Sequence, residues 1–188
     1  MSISAKDALN KLKKGNDNFV NDTENVQVTA SIRQGLTGGQ SPYAIILSCA
    51  DSRVLPESVF DANAGEIFTC RVAGNIANTS SIASIEYAVA HLGTKLIVVL
   101  GHESCGAVGA ALAGGDNGYN LNHLLSHITP ALAKCDSEDV NDVVRVNAQL
   151  NAEELIARSS IISNAVNNEG LEIKSAFYNL GSGKVDFL

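Results

Sequence analysis

The chain has 188 residues, 45% of them hydrophobic and 18% charged, with a formal net charge of −7. Such a composition suits a globular protein long enough to bury a sizeable core, and its acidity argues against nucleic acid or an anionic membrane surface as the main partner. No apolar run approaches the roughly 20 residues of a membrane span, and the opening MSISAKDALNKLKKGNDNF lacks the apolar core of a signal peptide and the acid-poor character of a transit peptide, so the expected location is the cytoplasm, or an organelle interior.

Ala5, Ala8, Leu9 and Leu12 recur at helical spacing with Gly15 as a stop, which predicts an N-terminal helical arm on a single domain spanning residues 1–188. YAIILSCA reads as a buried strand of a parallel sheet, and EIFTCRV as a second strand. SSIASIEYAVAHLG places Ile82, Ile85, Val89 and Leu92 three or four apart, between capping serines and a terminating Gly93. KLIVVLGHE is a third strand, and SCGAVGAALAGG a small-residue helix able to pack close to its neighbours. Residues 121–168 read as helical, with Leu121, Leu124, Leu125, Ile128 and Leu132 as one stripe. LEIKSAFYNLGSGKVDFL reads as two strands around a Gly-Ser-Gly turn. The expected fold is therefore α/β: a mostly parallel mixed β-sheet flanked by helices, with a C-terminal antiparallel hairpin.

In such sheets ligands bind beyond the carboxyl ends of the strands. Cys49 ends the first strand, while His102 and Cys105 follow the third in GHESCG. Two thiolates and an imidazole suit Zn2+, and three protein ligands leave a fourth position for water. Spacing alone leaves open whether these residues hold a metal or merely fill core, because cysteine is among the most buried residue types. Cys70 and Cys135 are expected in the core, and His91, His123 and His127 receive no role. Asp51 and Arg53 stand two apart, placed either to share a metal with Cys49 or to neutralise each other.

CADSR, RVAGN, SIEYAV and GHESCG together closely resemble the β-class carbonic anhydrases, and weaker similarity extends from KKGNDNFV to FYNLGSGKVDFL. The resemblance implies reversible hydration of carbon dioxide to bicarbonate by a zinc-bound hydroxide, with Cys49, His102 and Cys105 binding Zn2+. In some members the aspartate of C-x-D-S-R closes the fourth zinc position. In others it pairs with the arginine and leaves zinc open, as Asp51 and Arg53 would here. It further implies Gln40 as the amide donor to substrate, Phe68, Ala73 and Tyr87 as pocket walls, and Gly106 as a close backbone approach beside the metal-binding cysteine. Tyr87 would reach a neighbouring subunit in a homodimer or larger homo-oligomer. Some bacterial members carry a second bicarbonate pocket built from Trp, Arg and Tyr. Arg71 and Tyr178 match two of these, but Ile46 replaces the Trp, so the chain looks closer to the open, plant-type members. The alternatives are a CS2/COS hydrolase on the same fold, and a non-catalytic zinc- or redox-sensing thiol protein.

Overall fold

The computed structural model describes residues 3–188. Its strands are β1 (Ala44–Ser48), β2 (Ile67–Arg71), β3 (Leu96–His102), β4 (Glu172–Tyr178) and β5 (Val185–Phe187). They form one sheet in the order β2-β1-β3-β4-β5, parallel except for β5, which returns antiparallel to β4. The helices are α1 (Ala5–Val20), α2 (Ala30–Gly35), α3 (Pro56–Val59), α4 (Thr79–Leu92), α5 (Gly106–Ala113), α6 (Tyr119–Ser126), α7 (Thr129–Lys134), α8 (Val140–Arg158) and α9 (Ser160–Asn168). This is the expected α/β architecture with its closing hairpin. Among the described residues no helix is long and apolar enough to cross a membrane.

Every residue of β1 and β3 is buried. Both faces of the sheet are covered, so these strands read as unbroken apolar runs rather than as alternation. Ala44, Ile46, Val98 and Leu100 face α1 and the α3 region. Ile45, Leu47, Ile97 and Val99 face α4, α8 and α9. Each fully buried leucine or isoleucine contributes about 1.5–3 kcal/mol. A third cluster, including Ile76, Val108, Ile128, Val144 and Phe177, closes around Cys49 and Cys105.

Three expectations need correction. Gly15 does not stop α1, which continues to Val20. A Cβ at Gly15 would lie 1.9 Å from the Phe60 carbonyl oxygen, so the glycine serves close packing of α1 on the end of α3. Through fully buried Ala8 and Leu12, α1 packs onto the sheet. Buried Asn16 donates through Nδ2 to the carbonyls of Val59 (3.1 Å) and Gly183 (2.8 Å), and its Oδ1 accepts from the Val185 N–H (2.9 Å). Residues 121–168 are helical as expected but divided among α6, α7, α8 and α9, so Leu121, Leu124, Leu125, Ile128 and Leu132 do not lie on one helix as one stripe. Pro130, which cannot continue a helix from within, opens α7, and the Asp139 side chain caps α8. Leu125 and Ile128 are buried, whereas Leu121 is exposed. Cys70 is buried as expected, but Cys135 is only half-buried at the end of α7.

Candidate metal centre

The carboxyl ends of the parallel strands meet at one edge of the sheet. Ser48 is in register with Arg71 and Leu100, and His102 with Tyr178. Cys49, one residue past β1, therefore stands beside the end of β3. Beyond His102, the Glu103 N–H donates to the Tyr178 carbonyl (2.9 Å), and Glu103 Oε2 accepts from the Leu180 N–H (2.9 Å). Ser104 then turns the chain at φ 54, its N–H held by Asn141 Oδ1 at 2.9 Å. The turn brings Cys105 to the N-cap of α5, where free backbone N–H groups favour a thiolate.

The ligand atoms of Cys49, His102 and Cys105 lie within 4.8 Å of one another, and all three residues are buried. The His102 Nδ1 lies 2.9 Å from the Glu103 carbonyl oxygen. A carbonyl only accepts, so Nδ1 carries the proton and Nε2 presents a bare lone pair. That Nε2 is buried with no hydrogen-bond partner, and Asp51 Oδ2 is 3.8 Å away. A bare imidazole nitrogen, two sulfurs and a carboxylate thus converge with too few protons among them. An orphaned buried acceptor of this kind fits a cation, and the nitrogen–sulfur set fits Zn2+. The two thiols divide the available proton. A hydrogen bond from Cys105 outweighs burial and holds the Cys49 thiol far below its ordinary range, with smaller help from the Gly74 N–H. The same hydrogen bond and burial push Cys105 up.

Asp51 is held wholly by Arg53. Its Oδ1 accepts from the Arg53 backbone N–H and Nε, both at 2.9 Å, and its Oδ2 from Nη2 at 2.8 Å. These bonds outweigh the opposing effect of burial and keep its carboxyl well below the usual carboxylate range. Arg53 Nη2 also donates to the Ser104 carbonyl at 3.3 Å, tying the pair to the His102–Cys105 turn.

Two supports were not legible as such from the sequence, although both lie in the RVAGN motif. Arg71 donates from Nε to the Cys49 carbonyl (3.0 Å) and from Nη2 to the Asp51 carbonyl (2.7 Å), bracing the loop that carries both residues. The Gly74 N–H lies 3.4 Å from Cys49 Sγ. Gly74 has φ 72, and a Cβ there would sit 2.8 Å from Ile128 Cδ1, so the position needs glycine.

The expected pocket residues are more scattered. Ala73 begins the short turn beside Cys49. Phe68 is half-buried, with its ring 6.4 Å from that of Tyr87, which is 50% exposed. Gln40 is exposed and precedes β1, whereas Cys49 follows it. A Cβ at Gly106 would meet nothing within 4 Å, leaving open space beside Cys105. Ile46 is fully buried within the sheet.

Comparison with known proteins bears directly on this geometry. The profile of the carbonic anhydrase family matches residues 44–185. Carbonic anhydrase 2 of Mycobacterium tuberculosis is 37% identical over 185 residues, covering 94% of this chain and 89% of that protein. A carbonic anhydrase of Mycolicibacterium smegmatis is 34% identical, with coverage of 95% and 91%. Among solved structures, a tetrameric β-carbonic anhydrase of Sordaria macrospora superposes with a TM-score of 0.75 at 29% identity, over 83% of this chain and 85% of that one. One from Aspergillus fumigatus gives 0.73 at 30% identity, over 97% and 89%. With a family match running from β1 to β5 across every residue of the buried Cys-His-Cys set, the chain belongs to the β-class carbonic anhydrases.

Proposed function

We propose that this carbonic anhydrase hydrates carbon dioxide at a zinc ion held by Cys49, His102 and Cys105, in an open resting state with Asp51 on Arg53. The reading rests chiefly on the orphaned His102 Nε2 within the three-ligand cluster. When bound, zinc supplies the Lewis acidity that brings the pKa of a water from 15.7 toward 7.

The chain's own residues then orient the reactants. Asp51 is locked as an acceptor by three hydrogen bonds from Arg53. It accepts a hydrogen bond from the attacking oxygen's proton and turns a lone pair toward the carbon of carbon dioxide. Because both Asp51 oxygens are engaged by Arg53, the carboxylate is withheld from the fourth metal position. Carbon dioxide has no charge to grip, so a small apolar pocket of Phe68, Ala73 and Tyr87 with one amide donor, Gln40, suits it. Gln40 and Tyr87 are both exposed in a single chain, which supports a homodimer or larger homo-oligomer in which each completes a partner's pocket. The open space at Gly106 leaves room for bicarbonate.

Regulation by a second bicarbonate site is not part of this reading. Ile46 is fully buried and offers no donor, and Arg71 is committed to the Cys49 and Asp51 carbonyls. This supports kinship with the open, plant-type members. The test is stopped-flow carbon dioxide hydration with metal analysis, run beside sulfide release from COS, with and without added bicarbonate. Zinc near one per chain with hydration activity and no cooperative bicarbonate inhibition is expected. A zinc-free or COS-specific chain would sink the proposal, and steep bicarbonate inhibition would sink the open-site part.

A further inference from the structure

Helix α8 carries two asparagines four residues apart, Asn147 and Asn151, whose side chains are buried at 1% and 4% exposure. Asparagine is a poor helix former, and a buried amide stabilises nothing unless its partners are satisfied. Both amides here are spent on one short segment. Asn147 Nδ2 donates to the Gly74 carbonyl at 2.9 Å. Asn151 Nδ2 donates to Asn147 Oδ1 at 3.0 Å and to the Asn147 carbonyl at 2.8 Å, while Asn151 Oδ1 accepts from the Ala77 N–H at 2.6 Å. Nearly two turns beyond Asn151, Arg158 Nη1 donates to the Ala77 carbonyl at 2.7 Å. The helix therefore grips residues 74–77 by backbone groups on both sides.

The gripped segment begins at the residue whose N–H lies 3.4 Å from Cys49 Sγ. For a sulfur acceptor this is a formed hydrogen bond, and it keeps its direction only while the Gly74 peptide holds its orientation. Gly74 has no side chain to hold it and adopts φ 72, so its placement depends on what binds its backbone. The geometry points to Asn147, held by Asn151, as a positioning residue for the Cys49 ligand: it fixes Gly74 so that the Gly74 N–H stays on the Cys49 sulfur. The inference rests on the zinc reading above and extends it from the ligands to the helix behind them. Loss of a partner behind a metal ligand costs about 10–100-fold in metal affinity, and the low end applies to a group acting through one further bond.

The test compares Asn147→Ala and Asn151→Ala with Leu155→Ala, a buried truncation on the same helix that packs in the cluster away from Cys49 and Cys105. Three quantities are read: zinc release to a chelator, the thiolate-to-metal absorption of the cobalt-substituted chain, and hydrogen exchange of the Gly74 N–H in the metal-free chain. Asn147→Ala should release zinc about tenfold faster, shift the cobalt band and deprotect Gly74. Asn151→Ala should do the same to a smaller degree, and stands in should Asn147→Ala not fold. Leu155→Ala should lower the melting temperature and leave all three readouts in place. Ladder variants that match Leu155→Ala in all three would overturn the inference alone. A wild-type chain that retains no zinc would overturn the zinc reading, and this inference with it.

Discussion

Replacing Gly74 with alanine should cost stability through two separable effects. The first is backbone strain. At φ 72 an L-residue with a Cβ pays about 1–2 kcal/mol. The second is a clash, because the new Cβ would stand 2.8 Å from Ile128 Cδ1, where carbon atoms prefer about 3.5–4.0 Å. Overpacking of this kind costs about 1–3 kcal/mol. Together they come to about 2–5 kcal/mol, a large part of the 5–15 kcal/mol that holds a typical domain. Even the lower value should reduce the melting temperature by about 4–8 °C at this chain length. Ile128→Val removes the offending Cδ1. Alone it should cost about 0.5–1.5 kcal/mol, but in the double variant it should relieve the clash and leave the strain, giving a favourable coupling of about 1–3 kcal/mol. Thermal and denaturant unfolding of the four proteins measures this directly. Simple additivity, or a Gly74→Ala chain within 0.5 kcal/mol of wild type, would refute the packing described around the metal centre.

Cys49→Ala, His102→Ala and Cys105→Ala should each lose most zinc and all hydration activity, while Cys70→Ser and Cys135→Ser keep both; metal analysis beside stopped-flow rates decides, and full zinc in Cys105→Ala would break the assignment. Arg53→Ala should keep zinc but slow hydration by freeing Asp51, whose Oδ2 is 3.8 Å from His102 Nε2, to move onto the metal that His102 would hold; wild-type rates across the pH range would remove Arg53 from the mechanism. The Glu66 carboxyl is pulled up by burial but pulled down further by Lys11 and Asn63, with a net lowering from 4.5. A depressed folded-state value gives stability that is present above about pH 4.5 and fades as the pH falls through the folded value. Lys11→Met should therefore be less stable than wild type above pH 5, by no more than about 1 kcal/mol for a half-exposed pair. The difference should vanish in acid and shrink in salt, and a gap that persists at pH 3 would contradict the linkage.

The parallel sheet was legible because both faces of β1 and β3 are buried, which leaves AIILS and LIVVLGH as continuous apolar runs. The Cys49–His102–Cys105 cluster was legible because strand ends and a tight turn into a helix gather short-range motifs in space. Gly15 misled because a glycine at a helix stop and a glycine at a helix contact look alike until Phe60, 45 positions on, is seen against it. Asn147 and Asn151 had no local signature at all. Polar residues inside a helix read as solvent-facing, and only the tertiary approach of Gly74 and Ala77 turns them inward. Arg71 was noticed, but its two carbonyl partners belong to a loop 20 and 22 residues away and could not be inferred from spacing.

Asn16 gives this fold an order of assembly. Its partners lie 43, 167 and 169 residues further along the chain. During synthesis α1 emerges before all of these partners and can rest on Val59 once α3 is made, but two of the three Asn16 hydrogen bonds await the turn before β5 and the strand itself. Contacts so distant in sequence form late, because loop closure must be met before they reward it. The growing chain thus carries an unlatched α1 until β5 has been made. Until the hairpin closes, the incompletely paired Asn16 amide marks the surface of α1 that a chaperone would find uncovered.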